Sequence, residues 1–242
     1  MVLHRIAVAS IAVFFFSQMA PGQQDSLNGP VQANQPETSS SQPPSSKHVL
    51  GIIPNFRTTP EMVHYEPILP KEKFRIASQD SFDRGTLALA AIFAAQAQFT
   101  NGNPSFGQGV AGYSKYLATA WGDFAIGNYM TEGIFPTLLH QDPRYFRRGR
   151  GSTLSRLGYA AGQIFLTHGD SGHTQFNFSE VVGNSVAVAI SNAYYADNRT
   201  ARDAGSKLGV QLGVDMASNV AKEFWPDLER RFGRKHHRDA GQ

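Results

Sequence analysis

Small residues recur every four positions in the second half of this chain, and that spacing limits its fold more than any other feature. Gly205, Gly209, Gly213 and Ala217 make the longest row; Gly158 with Gly162, Gly183 with Ala187 and Ser191, and Ala118 with Gly122 make shorter ones. A repeat of four lies along one face of a helix. Glycine inside a water-exposed helix costs about 1 kcal/mol relative to alanine, so a row of glycines calls for compensation by close approach of another helix, in a bundle, an oligomer or a membrane. The expected fold class is all-α, a compact bundle of about five to six helices with small-residue seams at Gly158, Gly162, Gly183, Gly205, Gly209 and Gly213. The longest unbroken apolar stretch in that region, Leu87 to Ala95, is nine residues, well short of the roughly 20 that span a bilayer. A polytopic membrane protein is therefore not expected.

The prolines sit at the other end. Nine of the 13 lie at or before Pro70, whereas 18 of the 23 glycines lie between Gly85 and Gly213. Residues 1–22 read as a signal peptide: a basic start (His4, Arg5), an apolar run Ile6–Phe16, then small residues with cleavage expected after Gly22. Residues 23–47 are rich in Ser, Gln, Pro and Asn and too poor in apolar groups to offset their ordering entropy, so a disordered linker is expected. Residues 48–80 carry Pro54, Pro60, Pro67 and Pro70 among apolar groups and read as an extended arm with one short strand, docked on the bundle. The bundle spans 81–233, and 234–242 form a basic flexible tail. The chain has no cysteine, which excludes disulfides, a thiol nucleophile and a Cys-ligated metal. The expected location is the periplasm or outer envelope, with membrane association.

Helices are expected over Phe82–Phe99, over Phe106–His140 with a break or kink at Gly122 or Pro136, from the cap Ser152 to His168, from the cap Asn177 to Tyr195, and from Thr200 to just before Pro226, which starts a short last helix.

Polar groups recur within these helices. Asp215, Asn219 and Glu223 follow one another at intervals of four, as do Glu180 and Asn184, while Asp123, Asn128 and Glu132 interrupt apolar surroundings. Were these faces to meet, they would form a carboxylate and amide cluster suited to acid–base chemistry; buried hydrogen bonding that fixes helix register is the other reading. Neither a Glu-x-x-His pair nor a His-Glu-x-x-His motif occurs, so no metal and no cofactor is implied. Gly169-Asp-Ser-Gly172-His173 reads as a glycine-rich turn rather than a nucleophile motif.

The loop His140–Arg150 interleaves Arg144, Arg147, Arg148 and Arg150 with Tyr145 and Phe146. Arginines among aromatics suit phosphate-bearing ligands, so an anionic lipid or another envelope component is one expected partner. Pairing of Arg144 with Asp142, Glu132 or Glu180 to lock the helix junction is the alternative. A homo-oligomer formed through the glycine rows is the other partner class; nucleic acid is not expected for an exported chain of net charge +3.

The blocks HQDPRYF (140–146), DSGHTQFNFSE (170–180), ISNAYY (190–195) and KEFWPD (222–227) resemble those of an uncharacterised family of exported bacterial helical proteins. The resemblance implies export and a helical fold, with no activity attached. Two functions are thus in view. One is a binding or structural module contacting membrane or a partner. The other is an envelope hydrolase acting on a phosphorylated or glycan substrate, which requires His140, Asp142, Arg144, His173 and Glu180 in one pocket.

Overall fold

The structure, a computed structural model, describes residues 48–49, 53–55, 57–59 and 65–239. All lie in the second of two compact units, Ser46–Gln242. The expected signal peptide and linker fall outside the described residues.

The fold is mostly helical. Helix α1 (Pro70–Ser81) takes the place of the last part of the expected extended arm, 48–80, and runs into the expected bundle. Pro70 opens this helix instead of blocking one, because at the first helical position its missing N–H costs nothing and its fixed φ is already helical. Glu72 closes the start by accepting from the Leu69 amide at 3.3 Å. Helix α2 (Arg84–Phe99) is capped by Asp83, which accepts from Gly85 N at 2.6 Å. Helix α3 (Gly109–Asn128) runs through Gly122 without a break and continues into a π-helical segment, Tyr129–Ile134, and then α4 (Phe135–Leu138).

Helix α5 (Thr153–Gly162) starts at the predicted Ser152 cap but stops six residues before His168. Leu166–His168 (β5) and Thr174–Phe176 (β6) instead form an antiparallel hairpin. Gly172 supplies the positive φ of +82° that its turn needs. Asn177 then caps α6 (Phe178–Tyr194) by accepting from Glu180 N at 3.1 Å. Helix α7 (Ala201–Asp239) opens on a reciprocal Thr200–Asp203 cap and carries on through Pro226, so the expected break there is absent and residues 234–239, read as tail, are helical. A proline disturbs the hydrogen bonds of the turn before it. In that turn the Glu223 carbonyl accepts from Arg147 Nε and Arg156 Nη2, each at 2.8 Å.

The arm contributes three short strands. His48–Val49 (β1) pairs with Ile53–Pro54 (β2), and Thr58–Thr59 (β3) lies parallel to Tyr145–Phe146 (β4). In the bundle α2 packs on α3, α1 on α3 and the π segment, α6 on the π segment and α7, and α5 on α7. Many of the buried apolar residues are small (Ala77, Ala90, Ala94, Ala160, Ala187), whereas Lys73, Gln141, Asp142, Asn184 and Glu223 rank among the largest fully buried side chains. The interior is held by polar groups as much as by apolar ones.

The glycine rows divide. A β-carbon at Gly183 would lie 3.0 Å from Thr131 Cγ2 and 3.2 Å from the Met130 backbone, so this row is an internal seam between α6 and the π segment. At Gly158, Gly162, Gly205, Gly209 and Gly213 a β-carbon would meet open space. Those rows face outward and are not seams of the bundle. Among the described residues no helix is long and apolar enough to cross a membrane.

Candidate functional site

Six ionisable side chains from five parts of the chain meet inside the bundle: Arg57 from the arm, Asp80 from α1, Glu132 from the π segment, Glu180 from α6, and Asp215 and Lys222 from α7. The extra residue in a π turn re-aims the side chains that follow, and here Thr131, Glu132 and Gly133 are all turned inward. Asp215 and Lys222 are seven residues, two helical turns, apart and share a face.

Arg57 Nη1 lies 3.2 Å from Glu132 Oε1. Burial opposes the arginine's charge, but Glu132, Glu180, Asp215 and Asp80 together outweigh it and hold its pKa above the usual value. Glu132 is pushed well above the carboxylate range, first by burial and then by Asp80. Both influences favour the protonated form of the acid. Glu180 and Asp215 repeat the arrangement. Glu180 is raised to about 8, by burial and then by Asp215, and the Asn184 amide bridges the two, donating to Glu180 Oε1 at 3.1 Å and Asp215 Oδ2 at 3.3 Å. Lys222 is lowered to about 8 by burial and then by Arg57.

A polar cavity of about 30 Å³ adjoins it, lined by Arg57, Thr131, Asp142, Arg144, Glu180 and Asn219 among others. Arg57 Nε and Asn219 Oδ1 are buried without protein partners. That volume takes about two water molecules, whereas a small-molecule site needs about 300 Å³ or more. The site has acid–base groups near neutrality and no space for an organic substrate beside them.

A second cluster engages much of the arginine loop. Glu223 is 0 % exposed. Its Oε1 accepts from Arg156 Nε (2.8 Å) and Gly149 N (2.9 Å), and its Oε2 from the Tyr145 hydroxyl (2.8 Å) and Arg148 N (3.0 Å). Asp227 takes Arg147, Arg156 and Arg230 at 3.2, 2.7 and 2.6 Å. Burial resists the charge on Asp227, but Arg156 and then Arg147 and Arg230 hold its pKa below the usual range. Arg144 chelates Asp142 through Nε and Nη2, donates to Glu66 O at 2.6 Å and lies over the Phe146 ring at 5.2 Å; Tyr65 also donates to Asp142, at 3.0 Å. Arg148 lies over Tyr159 at 5.7 Å, and Arg150 is exposed. Arg144 and Arg147 thus spend their guanidinium groups inside the fold, with Tyr145 and Phe146 buried beneath them.

The five residues required of a hydrolase do not converge. Asp142, Arg144 and Glu180 line the small cavity, but His140 and His173 do not. The His140 side chain is 84 % exposed and lies 3.6 Å from Asp170, whose main partner is the buried Lys73 at 2.8 Å. His173 is exposed on the hairpin turn. Asp123 lies apart from the chamber, accepting from the hydroxyls of Tyr194 and Tyr195. Among the described residues no group of three or more His, Asp and Glu side chains is placed to hold a metal ion.

Sequence reasoning found Glu132, Glu180, Asn184, Asp215 and Asn219 but missed Arg57, Asp80 and Lys222. Only Lys222 carried a usable signal, its interval of seven from Asp215. Comparison of the chain with protein-family models, curated proteins and solved structures gives no match.

Proposed function

We propose that this chain is an exported, non-catalytic helical module of the cell envelope that docks on a membrane surface through an uncharged apolar face. The observation that carries this reading is the outer face of the β5–β6 hairpin and α6. Phe165, Leu166, Phe176, Phe178, Val182 and Ile190 are all exposed. The three phenylalanines run together, with ring centroids 6.4 and 4.9 Å apart. The one charged side chain of α6, Glu180, is turned into the chamber. Contiguous exposed apolar surface of this kind marks an interaction site, and an apolar helix face flanked by aromatics suits the boundary between headgroups and acyl chains.

The reading replaces recognition of anionic headgroups by the arginine loop with apolar insertion, because Arg144 and Arg147 already have carboxylate partners. Flotation of the purified full chain with vesicles of phosphatidylcholine, with and without an anionic lipid, tests it. Flotation with both, little changed by salt and reduced about tenfold or more in Phe176→Ser/Phe178→Ser, is the expected result. Failure of the native protein to float with either vesicle overturns the proposal.

A further inference from the structure

Arg57 uses only part of its guanidinium on protein. Its Nη1 lies 3.2 Å from Glu132 Oε1, while its Nε is buried without an acceptor. Asn219 of α7 is in the converse position, with a buried Oδ1 that no donor reaches. The two residues are only 8 % and 5 % exposed, so bulk solvent does not serve either atom. Buried polar atoms as a rule have partners, and leaving them unpaired is costly. Both side chains line the same polar cavity of about 30 Å³.

We propose that this cavity is a binding site for internal water, and that the bound water joins Arg57 Nε to Asn219 Oδ1. The arm is then tied to α7 through solvent as well as to Glu132 directly. Volume and wall agree with this occupant. The space takes about two water molecules, and buried water typically makes about three hydrogen bonds to groups that lack other partners.

The chemistry of the wall selects water over other small ligands. Arg57 Nε asks for an acceptor and Asn219 Oδ1 for a donor, so the occupant must supply both. The wall hydroxyls cannot provide the donor. Those of Thr131, Thr167, Ser179 and Tyr145 already donate, to Gly127 O, Asp142 O, Gln141 Oε1 and Glu223 Oε2, at 3.1, 2.8, 2.7 and 2.8 Å. A simple anion accepts from Arg57 but has no hydrogen for Asn219, and it lies against the carboxyl groups of Asp142 and Glu180 in the same wall. A metal ion suits Asn219 but faces the guanidinium groups of Arg57 and Arg144. Water donates and accepts at once, and carries no charge that either set of groups repels.

Nuclear magnetic resonance of the full isotope-labelled chain tests the site. The native protein should show a rotating-frame Overhauser cross-peak of dipolar sign between water and Arg57 Hε, whereas proton exchange gives the opposite sign. Asn219→Leu, which removes the acceptor and fills the space with apolar bulk, loses that cross-peak. Absence of the dipolar cross-peak in the native protein, or its persistence unchanged in Asn219→Leu, overturns the proposal. So does movement of the Arg57 Nε resonance when chloride is replaced by bromide at fixed ionic strength, since an anion then occupies the site. If Asn219→Leu does not fold, a crystal structure of the native chain decides the bridge. Water density within hydrogen-bond reach of both Nε and Oδ1 supports it, and density that reaches neither or only one overturns it.

Discussion

Arg57 of the arm and Glu132 of the π-helical segment form a buried ion pair at 3.2 Å, with Asp80 beside them. This single contact ties the arm to the centre of the bundle. It also sets a sharp asymmetry between the two residues. The surrounding acids hold the charge on Arg57, whereas burial and Asp80 push Glu132 toward its protonated form.

Arg57→Met therefore costs far more than Glu132→Gln. Removing the guanidinium leaves a buried carboxylate pair with Lys222 as its remaining cation, and breaking a buried pair from one side costs about 3–5 kcal/mol. A glutamine at 132 keeps the shape and imitates the protonated acid that burial and Asp80 favour, so its cost stays near that of an ordinary hydrogen-bond change, about 1 kcal/mol. Urea unfolding midpoints of the two variants measure the difference. Equal losses would show that Glu132 is fully ionised.

Glu223 should rank as the most sensitive residue of the loop cluster. Each of its carboxylate oxygens accepts two hydrogen bonds, and Oε2 is the one facing the Tyr145 hydroxyl and Arg148 N. In Glu223→Gln an amide nitrogen cannot accept at one of those positions, and Arg156 keeps only Asp227 as a carboxylate partner, for a cost of about 3–5 kcal/mol. Tyr145→Phe removes one donor while leaving the carboxylate its other three, for about 1 kcal/mol. Thermal or urea unfolding checks the order, and the reverse order would place the weight of the cluster on Asp227.

How far the sequence disclosed this site depends on the distance over which each contact acts. The Asn177 and Ser152 caps were legible because a cap is decided within one turn. Glu180 sits in the capping-box position after Asn177, yet its side chain enters the chamber, since the chamber offers Asn184 and Asp215 as partners. Asp215, Asn219 and Glu223 looked like one face. Steps of four drift by about 40° each on a helix of 3.6 residues per turn, so the third member lies about 80° round from the first. That drift delivers Glu223 to Arg156 and leaves Lys222, only about 20° off Asp215, in the chamber. Arg57 and Asp80 carried no local signal, because an arm strand and a helix opened by Pro70 bring them in through tertiary packing alone.

The divided glycine rows give a prediction of opposite sign at two positions. At Gly183 a methyl group meets Thr131 Cγ2 at 3.0 Å and the Met130 carbonyl at 3.2 Å. The backbone of the π segment must give way there, and overpacking of this kind costs about 1–3 kcal/mol. At Gly209 the same methyl meets nothing within 4 Å, and the residue is exposed in mid-helix. Gly209→Ala then gains the helix propensity that glycine lacks, about 1 kcal/mol, so the substitution raises the unfolding temperature of the isolated protein while Gly183→Ala lowers it. A fall in stability at Gly209→Ala that grows with protein concentration would instead mean that the outward row is covered by a second copy in solution, because a methyl group is harmful there only if another backbone lies against it.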